Sequence, residues 1–307
     1  MRFPERLNKG DTVALVAASF PMSQEIVQQC TEVLEREGYR VKVSRCLREG
    51  RNFHNYLAGD GKSRAEDLHE MFADPEVKAI FCIRGGYGSS HVMKYLDFDL
   101  IRKNPKIFVG YSDVTNLNVA FNQLSDLVTF HGPMVYSNML KHYDDYTRES
   151  LYRALNMGEC MEFQNPEGQA YDVIQGGKAE GVIVGGNITV LVRAIGTFFQ
   201  ADTRGKILFL EDIEENIPSI DMMITQMEYA GMMKDVKGIL FGNFTDCNND
   251  RYDASYKIDE FLHDRMRGYD VPIMSHIQSG HDFPMGTIPM GTFCRMDTEK
   301  KTICFYR

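Results

Sequence analysis

The chain has 307 residues, which is enough for one or two domains with a sizeable core. Its content of hydrophobic residues (43%) and charged residues (25%) is typical of a globular protein. A formal net charge of -9 argues against a nucleic-acid or anionic-membrane partner. No apolar run approaches the roughly 18 residues of a membrane span, and the N-terminus lacks the pattern of a signal peptide.

The seven cysteines are scattered, odd in number and never spaced as C-x-x-C. This usage indicates reduced, structural thiols, and we therefore expect a cytoplasmic protein. Because the ligand pairs of zinc sites usually lie close in sequence, we expect no metal site built from these cysteines.

The first half of the chain alternates predicted strands with predicted helices. The predicted strands cover 11–19, 39–43, 77–83, 107–109 and 128–133, and the predicted helices cover 22–38, 63–72, 89–96 and 113–124. Ser63, followed three residues later by Glu66, matches a capping box at the start of the second helix. Such alternation predicts an α/β fold with a mostly parallel, helix-flanked sheet.

The sequence becomes polar and irregular between 141 and 178, where turn signals are frequent, although 148–157 could form a helix. We predict an N-terminal domain over 1–140, a connection over 141–178 and a C-terminal domain over 179–307. In the C-terminal part, strands are predicted at 179–187, 206–212, 236–242 and 272–276, with a closing hairpin near 291–306. Helices are predicted at 188–195, 220–229 and 256–266.

Ser112 stands at the corner between a predicted buried strand and a predicted helix. A hydroxyl at this position projects beyond the end of the sheet, beside the unpaired N–H groups and partial positive charge of a helix N-terminus. Serine nucleophiles need this geometry, but an ordinary N-cap serine occupies the same position. This stretch alone leaves both interpretations open.

A serine nucleophile needs a histidine base and a carboxylate that orients it. His281 lies in a glycine-flanked loop after a predicted strand, and His131 is its rival because it also follows a strand. Glu211 and Asp212 end an apolar strand, where a partly desolvated carboxylate requires a partner. The carboxylate could pair with an imidazolium. Alternatively, it could form a salt bridge or cap the N-terminus of the next segment.

An oxyanion hole needs two N–H groups directed at one point. Asp113, directly after the serine, is one candidate donor, and the Gly85-Gly86 turn, where no Cβ blocks a substrate, is the other. That turn is otherwise a simple strand-to-helix connection or a phosphate cradle, although it matches neither G-x-G-x-x-G nor a P-loop. The chain also lacks G-x-S-x-G, because Val114 takes the place of the second glycine.

Taken together, these motifs resemble the LD-carboxypeptidase family of serine peptidases, which includes muramoyltetrapeptide carboxypeptidases and microcin-immunity peptidases. The resemblance spans most of the chain, and its five segments appear in the family's order. They are Arg84-Gly85-Gly86-Tyr87-Gly88, Val109-Gly110-Tyr111-Ser112-Asp113-Val114-Thr115, Gly185-Gly186-Asn187, Phe209-Leu210-Glu211-Asp212 and Gly280-His281.

The resemblance implies a triad of Ser112 as nucleophile, His281 as general base and Glu211 as orienting carboxylate. It implies an oxyanion hole formed by the N–H groups of Gly86 and Asp113. It further implies a C-terminal domain with a barrel-like β-core, a homodimer, and no metal or cofactor. The implied reaction removes the terminal D-alanine from a murein tetrapeptide by cutting the bond after an L-centre.

Two further residues are candidates for substrate binding. Arg84 could bind the free terminal carboxylate of an exopeptidase substrate, although a salt bridge within the fold would explain it equally well. Tyr111, beside Ser112, is the second candidate.

Two alternative functions stay open. A related peptidase could cleave a peptidyl-nucleotide antibiotic, although the chain has no tryptophan to stack on a base. A non-enzymatic peptide- or sugar-binding module would have no base beside Ser112.

Overall fold

A computed structural model describes residues 1–248 and 252–307, which form two compact units. The first unit comprises Met1–Asn156 together with Thr287–Met290, and the second comprises Met157–Gly286 and Gly291–Arg307. The chain therefore returns to the first unit for a few residues near its C-terminus.

The strands and helices of the described residues, in chain order, are the following. The strands are β1 Thr12–Val16, β2 Arg40–Val43, β3 Val77–Cys82, β4 Ile107–Val109, β5 Thr129–His131, β6 Cys160–Phe163, β7 Asp172–Gln175, β8 Lys178–Asn187, β9 Ile207–Ile213, β10 Gly238–Thr245, β11 Ile273–Ser275, β12 Ile288–Met290, β13 Phe293–Asp297 and β14 Thr302–Tyr306. The helices are α1 Gln24–Arg36, α2 Arg45–Arg48, α3 Gly61–Ala73, α4 Ser90–Met93, α5 Phe98–Lys103, α6 Thr115–Ser125, α7 Asp145–Leu155, α8 Ile188–Arg193, α9 Ile217–Tyr229 and α10 Ile258–Arg265.

The first unit contains a six-stranded sheet in the order β12-β5-β4-β3-β1-β2. Strands β1 to β5 pair in parallel, and β12 adds an antiparallel edge. The predicted α/β class and the mostly parallel sheet are confirmed. The antiparallel strand comes from a distant part of the chain, and no composition shift in the sequence marks it.

A cluster of three phenylalanines packs α3 and α6 against one face of β4. Phe108 of β4 lies 4.9 Å from Phe121 of α6 in an edge-to-face arrangement, and Phe72 of α3 lies 5.5 Å from Phe121, measured between ring centroids. All three side chains are fully buried. Burial of each such ring contributes about 1.5–3 kcal/mol, so this cluster fixes the strand and the helix on either side of Ser112.

Two local predictions differ from the structure. Helix α3 begins at Gly61, and its N-cap is Asp60, whose carboxylate accepts the Ser63 N–H at 2.8 Å, so the predicted capping box is wrong. Residues 141–178, predicted as a connection in which 148–157 could form a helix, contain α7 and also β6 and β7, two strands that were not predicted. Their short amphipathic segments pair with strands from later in the chain, which sequence periodicity does not show.

The second unit contains an eight-stranded mixed sheet in the order β6-β14-β13-β8-β9-β10-β11-β7. Strands β8, β9, β10 and β11 are parallel neighbours, whereas the outer pairs are antiparallel. Among the described residues no pairing joins β6 to β7, so the sheet is open and lacks the closure of a barrel. The predicted C-terminal hairpin is confirmed as β13 and β14.

The carboxyl ends of the parallel strands form one edge in each sheet, and ligands of such sheets bind there. In the first unit this edge carries the turns after β1, β3 and β4, and in the second unit it carries the ends of β8 and β9. No helix within 1–248 or 252–307 combines the length and the apolar character needed to cross a bilayer.

Candidate active site

Ser112 has a left-handed backbone, with φ of 62°. It begins a 3₁₀ turn, Ser112–Val114, that continues into α6, and its side chain is half-buried. The cap positions of these two elements are Tyr111 and Val114, neither of which makes a side-chain cap bond, so the N-cap interpretation of Ser112 does not hold. A left-handed non-glycine residue costs roughly 1–3 kcal/mol, and such strain is concentrated at functional sites.

The side chain of Asp113 connects three loops of the first unit. Its Oδ2 atom accepts a hydrogen bond from the Ser19 hydroxyl at 2.5 Å and another from the Ser89 N–H at 2.8 Å. The Ser89 hydroxyl donates back to the Asp113 carbonyl at 2.6 Å. Because these residues follow β1, β3 and β4, one buried carboxylate holds the turns at one sheet edge in register.

The side chain of Arg64, in α3, also holds these loops together by hydrogen bonds. Only 1% of this residue is exposed, and its guanidinium donates to the carbonyls of Ala18, Gly59 (3.0 Å) and Gly88 (2.9 Å). Burial lowers the pKa of Arg64, and the charge of Asp113 opposes that shift. Arg64 and Asp113 thus both hold the end of the glycine-rich turn, Arg64 through the Gly88 carbonyl and Asp113 through the Ser89 N–H.

The Gly85-Gly86 turn lies directly beside Ser112. A Cβ at Gly85 would stand 3.0 Å from the Ser112 Cβ and 3.1 Å from its Oγ, so the absence of a side chain makes this approach possible. Gly86 has φ of 119°, a conformation that favours glycine, and it is exposed. This turn, which follows β3, and Ser112, which follows β4, therefore lie at the same edge of the sheet.

The two candidate substrate-binding residues differ in environment. Arg84 is half-buried, and its guanidinium stacks 4.8 Å from the Phe20 ring and 5.7 Å from the Tyr136 ring. Within the described part of the chain it forms no ion pair, so the salt-bridge alternative lacks a partner. Tyr111 is 3% exposed and packs against the His131 ring, so its side chain belongs to the core rather than to a binding surface.

The second unit brings His281 and Glu211 together. The Nδ1 atom of His281 lies 2.7 Å from the Glu211 Oε2 atom. Glu211 is fully buried at the end of β9, and the side chain of His281 is 11% exposed. A Cβ at Gly280 would stand 3.0 Å from the Glu211 Oε2, which explains the glycine before this histidine.

The pKa of His281 is raised above its usual value. Burial, the largest single influence, disfavours the charged imidazolium, but the charge and hydrogen bond of Glu211 together outweigh it, with smaller contributions from Asp212 and Glu214. The imidazolium is therefore stabilised inside the protein, which is the property required of a histidine that accepts a proton during a reaction.

Asp212, the neighbour of Glu211, is a structural carboxylate. It accepts hydrogen bonds from the Asn187 side chain (2.9 Å), from the Thr189 N–H (3.0 Å) and hydroxyl (2.7 Å), and from the Ile213 N–H (2.8 Å). Asn187 is the N-cap of α8. The two carboxylates thus divide between the roles that the sequence left open: Glu211 orients an imidazole and Asp212 fixes a helix start.

His131, the rival histidine, is fully buried in β5 and pairs with Ile288 of β12. It packs against Tyr111 in the core of the first unit.

Sequence reasoning missed the network around Asp113. Its members, Ser19, Arg64, Ser89 and Asp113, come from separate elements, with 94 residues between Ser19 and Asp113 and 24 between Ser89 and Asp113. No local spacing links such residues. The only local signal was that an acidic residue, Asp113, directly follows Ser112. The sequence pattern assigned a role to its N–H group but not to its carboxylate.

Two domain models of one family match this chain. The N-terminal domain model of the LD-carboxypeptidase family matches residues 13–132, and the C-terminal domain model matches residues 180–296. The first range contains Ser112, and the second contains Glu211 and His281.

Similar proteins cover nearly the whole chain. A probable murein peptide carboxypeptidase of Bacillus subtilis is 39% identical over 300 residues, which are 97% of this chain and 92% of that protein. The microcin C7 self-immunity protein MccF of Escherichia coli is 27% identical over 325 residues, covering 96% of this chain and 92% of that protein. The crystal structure of a muramoyltetrapeptide carboxypeptidase from Oxalobacter formigenes superposes with a TM-score of 0.83 at 26% identity, covering 95% of this chain and 98% of the other.

We expect Asp113→Ala to lower the free energy of unfolding by about 3–5 kcal/mol, because it leaves the buried Ser19 hydroxyl and Ser89 N–H without their acceptor and removes the negative charge that favours buried Arg64. Urea denaturation followed by circular dichroism measures this loss. The matched variant Asp113→Asn keeps one carbonyl acceptor and should lose only about 1–3 kcal/mol. A loss below about 1 kcal/mol for the alanine variant would contradict the assigned role.

The left-handed backbone of Ser112 predicts an unusual order of stabilities. Ser112→Gly should be more stable than Ser112→Ala by about 1–2 kcal/mol, because only glycine adopts this conformation without a steric cost. The same two replacements at Glu32, an exposed residue in the interior of α1, should show the opposite order, because glycine destabilises a helix interior by about 1 kcal/mol relative to alanine. Identical orders at both sites would exclude strain at Ser112.

NMR titration of the imidazoles should give His281 a pKa above 6.5, and Glu211→Gln should move it below 6.5, because burial then acts unopposed. In linkage terms, the ion pair stabilises the fold fully below pH 6.5, and this stabilisation disappears as the pH rises through the raised pKa of His281. His276, whose pKa is raised chiefly by its bond to Asp259, should be unchanged and serves as the internal control. A His281 pKa unaffected by Glu211→Gln would refute the pairing.

Proposed function

Because the chain belongs to the LD-carboxypeptidase family and is a serine-type peptidase, we propose that it hydrolyses the L,D-peptide bond of a murein tetrapeptide and releases the terminal D-alanine. The observation that carries this proposal is the 2.7 Å contact between buried Glu211 and His281, which supplies an oriented base. The names of the similar murein peptide carboxypeptidases support the substrate class.

In this proposal Ser112, His281 and Glu211 act as a catalytic triad. Since the Nδ1–H of His281 donates to Glu211, the Nε2 atom takes the proton from the Ser112 hydroxyl as its oxygen attacks the carbonyl of the penultimate residue. The C–N bond then breaks, the amine of D-alanine receives the proton, and an ester to Ser112 forms. Water, activated by the same histidine, hydrolyses the ester and regenerates the serine.

We assign the oxyanion hole to the N–H groups of Gly86 and Asp113. The support is the close approach of the Gly85-Gly86 turn to Ser112 and the Asp113 carboxylate that anchors this turn through Ser89. Because the donors are held before substrate arrives, they stabilise the developing charge without reorganisation. Each such donor contributes roughly 3 kcal/mol to the transition state.

Arg84 is the proposed ligand of the substrate's terminal carboxylate. Its guanidinium is stacked on aromatic rings and lacks an ion pair within the described residues, so its charge is available to a carboxylate. This assignment explains how an exopeptidase would recognise a free chain end.

The proposal places the enzyme in the cytoplasm as a homodimer, with a small peptide as substrate and neither nucleic acid nor membrane as partner. All seven cysteines are free thiols and five of them are buried, which suits a reducing compartment. We propose a homodimer because the resemblance to the family implies one.

A second candidate function is cleavage of a peptidyl- or aminoacyl-nucleotide antibiotic, favoured by the similarity to MccF. Faster turnover of an aminoacyl-sulfamoyl adenylate than of a tetrapeptide would support this alternative.

Mass spectrometry of D-alanine release from murein tetrapeptides, with lysine or diaminopimelate at the third position, tests the proposed function. We expect release by the wild-type protein and a loss of about 10⁴-fold or more for Ser112→Ala. Ser90→Ala, an exposed serine of α4, is the matched control and should retain activity.

Two outcomes would contradict the proposal. One is no release from any natural tetrapeptide. The other is failure of a fluorophosphonate probe to label Ser112, which would instead favour a non-enzymatic binding module.

A further inference from the structure

The loop that carries His281 starts from a strained backbone. His276, the first residue after β11, is left-handed, with φ of 59°, although it is not a glycine. Such a conformation is costly for a residue with a Cβ, and it persists only where the surrounding structure holds it. Because the chain runs from this residue directly to His281, the groups that hold His276 also bear on the position of the imidazole of His281.

The side chain of Asn165 holds this start of the loop with both of its polar groups. Its Nδ2 group donates to the His276 carbonyl at 2.6 Å, and its Oδ1 atom accepts the Gln278 N–H at 2.9 Å. An amide side chain can do this because it carries a donor and an acceptor side by side. Asn165 is half-buried and lies between β6 and β7, 111 residues before His276 in the chain. It therefore fixes two successive peptide groups of the loop from outside the loop.

Gln278 closes the base of the loop. Its side-chain Nε2 group donates to the Pro284 carbonyl at 2.8 Å, and its main-chain carbonyl accepts the Gly286 N–H at 2.7 Å. Only 7% of this residue is exposed, so these bonds lie in a less polar environment than water, where hydrogen bonds are stronger. The segment between Gln278 and Pro284, which includes His281, is therefore held at both ends.

The same network reaches the strand beside Glu211. Strand β10 pairs in parallel with β9, which carries Glu211. Near the end of β10, the Asn243 N–H donates to the Ser279 carbonyl at 3.0 Å, and the Asn243 side chain donates to the Gln278 Oε1 atom at 3.3 Å. A Cβ at Gly280 would stand 3.2 Å from the Asn243 Cβ and 3.0 Å from the Glu211 Oε2 atom. The loop is thus attached to the sheet directly beside the carboxylate that bonds the imidazole.

We propose that Asn165 and Gln278 are positioning residues for the imidazole of His281, which they hold against its carboxylate partner. They act through the loop backbone, because Asn165 fixes its start and Gln278 joins its two ends. The inference rests on the proposed function, in which the placement of this imidazole governs the reaction. A misplacement of about 1 Å costs about 100-fold in rate, so the network contributes to turnover although neither residue belongs to the triad.

Removal of the Asn165 amide should move the imidazole away from Glu211. In Asn165→Ala we expect kcat for a murein tetrapeptide to fall about 10- to 100-fold while KM changes less than about twofold, because the base is displaced and the substrate contacts remain. Gln278→Met, which preserves the side-chain volume but loses both side-chain hydrogen bonds, should have the same effect. The control is Asn156→Ala, at a half-buried asparagine whose amide donates to a carbonyl of α7, and it should keep the wild-type values.

NMR titration of His281 separates positioning from a general loss of stability. Because contact with Glu211 raises the His281 pKa against the effect of burial, both Asn165→Ala and Gln278→Met should lower that pKa, by about one pH unit. A variant that is merely less stable keeps the wild-type pKa in its folded fraction, and circular dichroism measures that fraction.

The titration also separates this proposal from the proposed function. If the wild-type protein releases no D-alanine, the proposed function fails, while a lowered His281 pKa in the two variants still supports the positioning role. A His281 pKa that stays unchanged in both folded variants overturns the positioning role, even where D-alanine release is normal. An equal fall of the pKa in Asn156→Ala overturns it as well.

Discussion

The hydrogen bonds of the buried Asp113 carboxylate hold together the sheet edge of the first unit that carries Ser112. The carboxylate accepts the Ser19 hydroxyl and the Ser89 N–H on one oxygen, and so joins loops that follow three neighbouring strands. Without this acceptor, those donors and the Arg64 guanidinium would be buried with less compensation, at a cost of several kcal/mol. The position of the glycine-rich turn relative to Ser112 therefore depends on a buried charge.

The two units use adjacent residues for opposite purposes. Ser112 is half-buried in a strained conformation, while its neighbour Asp113 is buried and its carboxylate accepts hydrogen bonds from two other loops. Glu211 bonds a histidine, while its neighbour Asp212 is saturated by structural donors around α8. In both pairs, a residue whose side chain stabilises the local backbone stands beside one assigned to the reaction. This arrangement keeps the reactive groups in place although each is conformationally or electrostatically unfavourable by itself.

Much of the fold could be predicted from periodicity, because strand and helix patterns depend on residues close in sequence. The mostly parallel sheet of the first unit and the C-terminal hairpin follow from such patterns. The start of α3 was misplaced because Asp60 and Ser63 are both good N-cap residues. In the structure the Asp60 carboxylate accepts the Ser63 N–H, so the helix begins after Asp60. The content of 141–178 and the return of β12 to the first sheet depend on long-range pairing, which has no local signature.

The sequence by itself determined the family, the α/β class and the residue types of the site, because short motifs place Ser112, Glu211, Gly280 and His281 in contexts that few proteins share. Only the tertiary structure decided which of two histidines is paired with a carboxylate and which lies in the core. It also separated the role of Glu211 from that of Asp212 and revealed the buried Asp113 and Arg64 contacts. These distinctions depend on burial and on hydrogen-bond partners far away in the chain, and both arise only when the strands assemble.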